Sequence, residues 1–186
     1  GIIGETCYSF DGVNDVVEVS ATDQISNIGN SEFSVSVWAY LRNFTKNFST
    51  IVGKEDKDTD AQWNLYRYRE TSDLSFWTGD GAGHMRFSEF NMNQWHHFTI
   101  TYRKGVEKKV YVDGVEVASA TAGSTSEQTE AHLGIGDSMY NGIGSRSLDG
   151  KIQEVRIYNH ALTKQEINYL YSVGKRGLHT SDKRSL

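Results

Sequence analysis

Proline is absent from this chain and cysteine occurs once, so neither ring constraint nor disulfide shapes the fold. Turns must come from the 18 glycines and from Asn and Asp, which tolerate left-handed backbone. The single thiol, Cys7, cannot form an intramolecular bridge, and the redox compartment stays open on that ground. It sits in the strand-like run Cys7-Tyr8-Ser9-Phe10 with no His or Lys beside it, and reads as a small buried hydrophobe. No apolar run approaches the ~20 residues of a spanning helix, so no membrane insertion is expected. A net charge of −5 without a basic stripe argues against nucleic acid as a partner. At 186 residues the chain fits one domain with a real core. It shows neither an initiator methionine nor a signal peptide, and is expected to be a domain of something larger.

What is there is a succession of short alternating segments. Phe33, Val35, Val37, Ala39 and Leu41 share one face of a strand, with Ser34, Ser36, Trp38 and Tyr40 on the other. Trp63–Arg69 and Leu74–Thr78 form a second pair, and Trp95–Tyr102 alternates Phe98, Ile100 and Tyr102 with His97, Thr99 and Thr101. Asp113-Gly114 between Lys109 and Ala118 is a type I′ hairpin signal. Polar or Gly-rich loops fall at 79–83, 119–130 and 136–147. Many short strands with turn chemistry between them predict an antiparallel sandwich.

The chain is organised around its last regular stretch, Leu148–Tyr171. Its first half alternates as a strand. In its second half Thr163 and Glu166 have capping-box spacing, and Leu162 and Ile167 have staple spacing. Ile167, Leu170 and Tyr171 supply an apolar stripe, and Gly174 suits a left-handed stop. Residues 174–186 then read as a basic polar tail or linker.

Four motifs, in order, resemble the concanavalin A-like lectin/glucanase superfamily in its laminin G-like and pentraxin-like branch. They are GETCYSFDGVNDVVEV from Gly4, FSVSVWAY from Phe33, QWHHFTITY with KKVYVDGVEVA from Gln94, and GKIQEVRIYNHALTKQEI from Gly150. The resemblance implies an all-β fold over residues 1–173: a two-sheet antiparallel β-sandwich (jelly roll) with one short C-terminal α-helix. It also implies that Trp38 and Trp95 are core. Relatives commonly carry a structural Ca²⁺ where the chain's beginning meets the closing strand. The matching positions are Asp11, Asp15, Asp149 and Gln153, the last a departure from the usual Asp. The alternative is that Asp11 and Asp149 are Asp-Gly turn formers bonding their own backbone. Pentraxin-like relatives place further calcium ligands after an L-G strand, where this chain keeps only Asp137. Asp56, Asp58 and Asp60 imitate an EF-hand, but Ala61 replaces the required Gly and Arg67 the terminal Glu, which leaves a solvated acidic loop.

Catalysis finds little support. The paired carboxylates of hydrolase relatives, E-x-D-x-x-E on one strand, are missing, and Glu127 and Glu130 sit in a Ser/Thr-rich loop. His96 and His97 are adjacent on a strand, so they face opposite ways and cannot chelate one ion. The sequons at Asn43 and Asn47 are what composition alone produces. Aromatic residues point elsewhere. If Phe76 packs inward, Trp77 faces out beside Tyr66 or Trp63, with Asp80, His84 and Arg86 nearby and Tyr140 at the edge. The expectation is a non-catalytic, calcium-assisted carbohydrate-binding or adhesion module of an extracellular multidomain protein, taking a polysaccharide or glycan. The alternative is a laminin G-like interaction domain for a cell-surface or matrix protein.

Overall fold

The computed structural model describes residues 6–22, 28, 31–55, 63–123 and 131–181, those from 177 onward as backbone only. Asp56, Asp58, Asp60, Glu127 and Glu130 lie outside the described residues. Twelve strands and one helix are present among those described: β1 (Tyr8–Asp11), β2 (Val17–Val19), β3 (Glu32–Asn43), β4 (Thr50–Lys54), β5 (Trp63–Arg67), β6 (Leu74–Thr78), β7 (His84–Phe87), β8 (Trp95–Arg103), β9 (Glu107–Val112), β10 (Val115–Ala120), β11 (Leu133–Ile135), β12 (Asp149–Tyr158) and α1 (Lys164–Ser181). They make two antiparallel six-stranded sheets, ordered β1-β12-β3-β8-β9-β10 and β2-β11-β4-β5-β6-β7. This is the β-sandwich that the alternating segments predict.

The core follows from period-2 alternation. Phe33, Val35, Val37, Ala39 and Leu41 of β3 turn inward, as do Leu65, Phe76 and Met85 of the second sheet. Phe33 sits at the centre, its ring 5.3 Å from Trp63, 6.4 Å from Phe76 and 5.4 Å from Tyr102. The Asp113-Gly114 hairpin forms as expected, with both residues at positive φ (50° and 79°).

In β12 a simple alternation fails for a local reason. The register slips between Gln153 and Arg156, where Glu154 adopts φ 55°. The slip is a β-bulge, and it moves the strand's phase by one residue. Ile152 before it and Val155 and Ile157 after it can then all meet the core.

Helix α1 covers the outer face of the first sheet. Thr163 and Glu166 cap it reciprocally, Glu166 Oε2 accepting the Thr163 N–H at 2.8 Å and Thr163 Oγ1 the Glu166 N–H at 3.3 Å. Leu162 and Ile167 close over Tyr111. The helix does not stop at Gly174 but runs on to Ser181, so the tail expected from 174 begins as helix. Gly174 is there for close approach: a Cβ at that position would strike the Trp38 indole nitrogen. Trp38 is buried as expected, but beneath the helix, stacked on Tyr171 at 5.8 Å and tilted on His97 at 5.1 Å. Two other expectations are corrected. Trp95 is only half-buried, edge-on to Tyr40 at the strand's start. Cys7 is exposed, because β1 is an edge strand that buries only Phe10. The helix thus closes one outer face, and the second sheet's outer face is left for a site.

Candidate functional site

On β5, β6 and β7 the inward row Leu65–Phe76–Met85 fixes what the other face shows. Trp77 and His84 are register partners there, with ring centroids 6.2 Å apart. The Tyr66 hydroxyl lies 2.7 Å from His84 Nδ1. These three side chains floor a pocket of about 270 Å³, just below the ~300–1,000 Å³ of ligand pockets and fit for one ring-sized ligand.

The walls come from two loops. Residues 43–50 bring Phe48, whose ring meets Tyr66 edge-on at 5.7 Å. Residues 136–148 bring Tyr140 and Arg146, the Arg146 guanidinium lying 4.2 Å from the Tyr140 centroid and 5.1 Å from that of Phe48. Glu55, just past β4, accepts from Arg146 at 2.5 Å and from Asn64 Nδ2 at 2.6 Å. Arg69, on the turn after β5, completes the rim. Phe48 and Arg69 both hold positive φ (63° and 54°), and so does Met139 (60°) beside Tyr140. Non-glycine residues in that region carry about 1 kcal/mol or more of strain, and such strain gathers at functional sites.

The electrostatics are specific. Burial pulls the His84 pKa below its ordinary value, and Arg69, Lys108 and Arg86 add to the effect, so the imidazole is neutral at neutral pH. Burial and the nearby Glu55 raise the Tyr66 pKa, which keeps its hydroxyl protonated. The pocket therefore offers flat aromatic surface, neutral donors and acceptors, one internally matched ion pair and the Arg69 guanidinium.

Of the ligand-binding residues expected from sequence, Trp77, Tyr66, His84 and Tyr140 meet at this pocket. Arg86 flanks it, paired with Asp73 and 4.6 Å above the Tyr68 ring. Two are placed elsewhere. Trp63 is wholly buried on the inner face of β5, because it shares the parity of Leu65. The Asp80 side chain is buried too, accepting the Gly123 N–H at 2.8 Å and lying 3.9 Å from Lys108 Nζ, where it pins one loop to another. Sequence reasoning missed Phe48, Glu55, Arg69 and Arg146, which come from turns or loops far apart in the chain.

The residues matched to calcium do not fit a resident ion. Asp11 and Asp149 are register partners across β1 and β12. A guanidinium already stands among their oxygens, Arg42 Nε donating to Asp149 Oδ1 at 2.6 Å and Nη2 to the Phe10 carbonyl at 2.5 Å. Asp11 Oδ1 accepts the Val13 N–H at 2.8 Å, and Asp15 Oδ2 the Asp11 N–H at 3.0 Å, which is turn chemistry. Gln153 lies four residues beyond Asp149, roughly 13 Å along a strand, and pairs with Trp38. Asp137 is buried and bonded to the Met139 and Gly144 N–H groups and the Ser147 hydroxyl, bracing the loop that carries Tyr140. Among the described residues no three His, Cys, Asp or Glu side chains gather to hold a metal.

One pairing has the look of a nucleophile and base. Ser36 Oγ lies 2.7 Å from His97 Nε2, but both are buried beneath α1 (2% and 1% exposed). The site pocket has one carboxylate among its described lining residues, Glu55, already engaged by Arg146 and Asn64. The two-carboxylate mechanism of most glycoside hydrolases needs a pair.

Residues 11–168 match a laminin G family model described as the concanavalin A-like lectin/glucanases superfamily. No curated protein sequence matches the chain. Among solved structures it is similar to a Trypanosoma rangeli sialidase in complex with sialic acid (TM-score 0.69, 18% identity), covering 92% of this chain but 28% of that one. It is similar also to the receptor binding domain of botulinum neurotoxin C/D mosaic serotype (TM-score 0.70, 18% identity, 92% and 43%). Domain 4 of AbnA, an extracellular arabinanase from Geobacillus stearothermophilus, in complex with arabinotriose, aligns at TM-score 0.62 and 19% identity, covering 89% of this chain and 76% of that one. The chain thus spans about a quarter of the sialidase's length. At these identities the likeness is one of fold.

Proposed function

This chain belongs to the concanavalin A-like lectin/glucanase superfamily, and from that premise we propose that it is a non-catalytic carbohydrate-binding module. The observation that carries the proposal is Trp77, half-buried on the floor of an open pocket whose other lining groups are polar or aromatic. An indole face matches the apolar C–H face of a pyranose, while Tyr66, His84 and the rim supply hydrogen bonds to hydroxyls. The complex of the arabinanase domain with arabinotriose supports the reading by analogy of fold. The engaged Glu55, alone among the described lining carboxylates, supports the non-catalytic part. In this proposal the module serves an extracellular protein, delivering it to a glycan, and holds the sugar by side chains rather than through calcium.

Trp77→Ala tests it. Binding to a panel of polysaccharides, measured by affinity electrophoresis and calorimetry, should fall about tenfold or more, since losing such an anchor removes ~2 kcal/mol. The melting temperature should move little, because Trp77 is outside the core. A variant that unfolds while binding is unaffected per folded molecule would end the proposal.

A further inference from the structure

We infer that the pocket selects a sugar bearing a carboxylate, and that Arg69 is the residue that recognises it. The inference rests on the carbohydrate-binding function proposed above and names the class of sugar. Other cations around the pocket already have partners among the described residues. Arg146 is matched by Glu55, Arg86 by Asp73 and Lys108 by Asp80. Arg67 spends its guanidinium on the carbonyls of Thr71, Phe44 and Lys46. Arg69 is different. It is exposed, lines the pocket, and among the described residues makes neither a hydrogen bond nor an ion pair. Its guanidinium lies over the Tyr68 ring, 5.5 Å from the centroid, and a guanidinium held by a ring face still has N–H groups to donate.

The backbone supports the same conclusion independently. Arg69 holds φ 54°, a conformation that a turn ordinarily gives to Gly or Asn. Apart from its contact with the Tyr68 ring, the long cationic side chain makes no bond to the rest of the described fold, and a glycine would hold this backbone with less strain. The lowered His84 pKa agrees with positive charge at this rim, since after burial Arg69 is the largest of its causes. A planar N–H fork beside an aromatic floor suits a ring that carries a planar anion: the ring stacks on Trp77 and the carboxylate takes the fork.

The experiment uses galacturonate and glucuronate oligosaccharides, each beside its methyl ester, together with a sulfated galactan. Binding is measured at low and moderate salt. The wild type should bind an acid roughly tenfold or more tightly than its ester, with the difference shrinking as salt rises. Arg69→Gln should erase that preference, the acid losing far more affinity than its ester. Arg69→Lys, which keeps charge without the fork, should fall between. Arg69→Gly should lose the preference while its melting temperature holds or rises, because the φ strain is relieved. Equal affinity for acid and ester in the wild type would overturn the inference and leave the sugar site standing. So would a preference that survives Arg69→Gln, or sulfated galactan bound in place of the carboxylates. Binding of no saccharide at all, acidic or neutral, would remove the underlying function and the inference together.

Discussion

At the scale of single residues, His97 shows how burial converts an ordinary group into a pH-sensitive one. It is sealed under α1 against Trp38 and Tyr171, and burial lowers its pKa to about 4, with Asp113 opposing the effect and Arg156 adding to it. The unfolded chain therefore takes up the proton first. Stability is complete above the ordinary histidine value of 6.5 and is lost as pH falls towards 4. The full loss is on the order of 3 kcal/mol. For Asp113, burial alone would raise the pKa, but hydrogen bonds from His96 and the His97 N–H win and lower it, so its own contribution fades only below this window. The melting temperature of the wild type should thus fall between pH 7 and 4 more steeply than that of His97→Gln, whatever the variant's stability at pH 7. Parallel curves would show that His97 does not titrate as its burial requires.

Among the elements, α1 was legible at its start and not at its end. The capping box is local, three residues apart, and so can be read from sequence. Gly174 is ambiguous by the same local logic, because glycine both ends helices and lets them approach a neighbour. Only the position of Trp38, 136 residues earlier, decides between these. In an ordinary helix interior Gly→Ala gains up to about 1 kcal/mol of propensity. Here Gly174→Ala should instead destabilise by ~1–3 kcal/mol, the cost of forcing a methyl group into a packed contact. Denaturant midpoints measure it, and a stabilised variant would mean that the helix does not lie against Trp38. Strand β12 carries the same lesson: its apolar residues follow no single alternation until the bulge at Glu154 is included.

For the whole molecule, the join between the chain's beginning, its longest strand and its closing strand rests on Arg42. A chelator should leave the wild-type melting curve where it is, and added calcium should not raise it. Arg42→Ala should cost about 1–2 kcal/mol, because Asp149 and the Phe10 carbonyl each lose a partner that is partly shielded from water. A chelator-induced drop of several degrees in the wild type would mean that an ion, not the guanidinium, makes this join. Sequence alone determined the sandwich, since period-2 alternation and Gly- or Asp-based turns are local and act on every strand in the same way. It also determined Trp77 as outward, by the parity of Phe76 one residue before it. The same parity rule, applied to Trp63, would have placed it inside with Leu65. What only the tertiary structure decided was the pocket's walls. Phe48, Glu55, Arg69 and Arg146 are scattered over nearly a hundred residues, and no short-range pattern links them. They meet because the sheet brings β4, β5 and β11 side by side, so that segments flanking those strands deliver their side chains to one pocket.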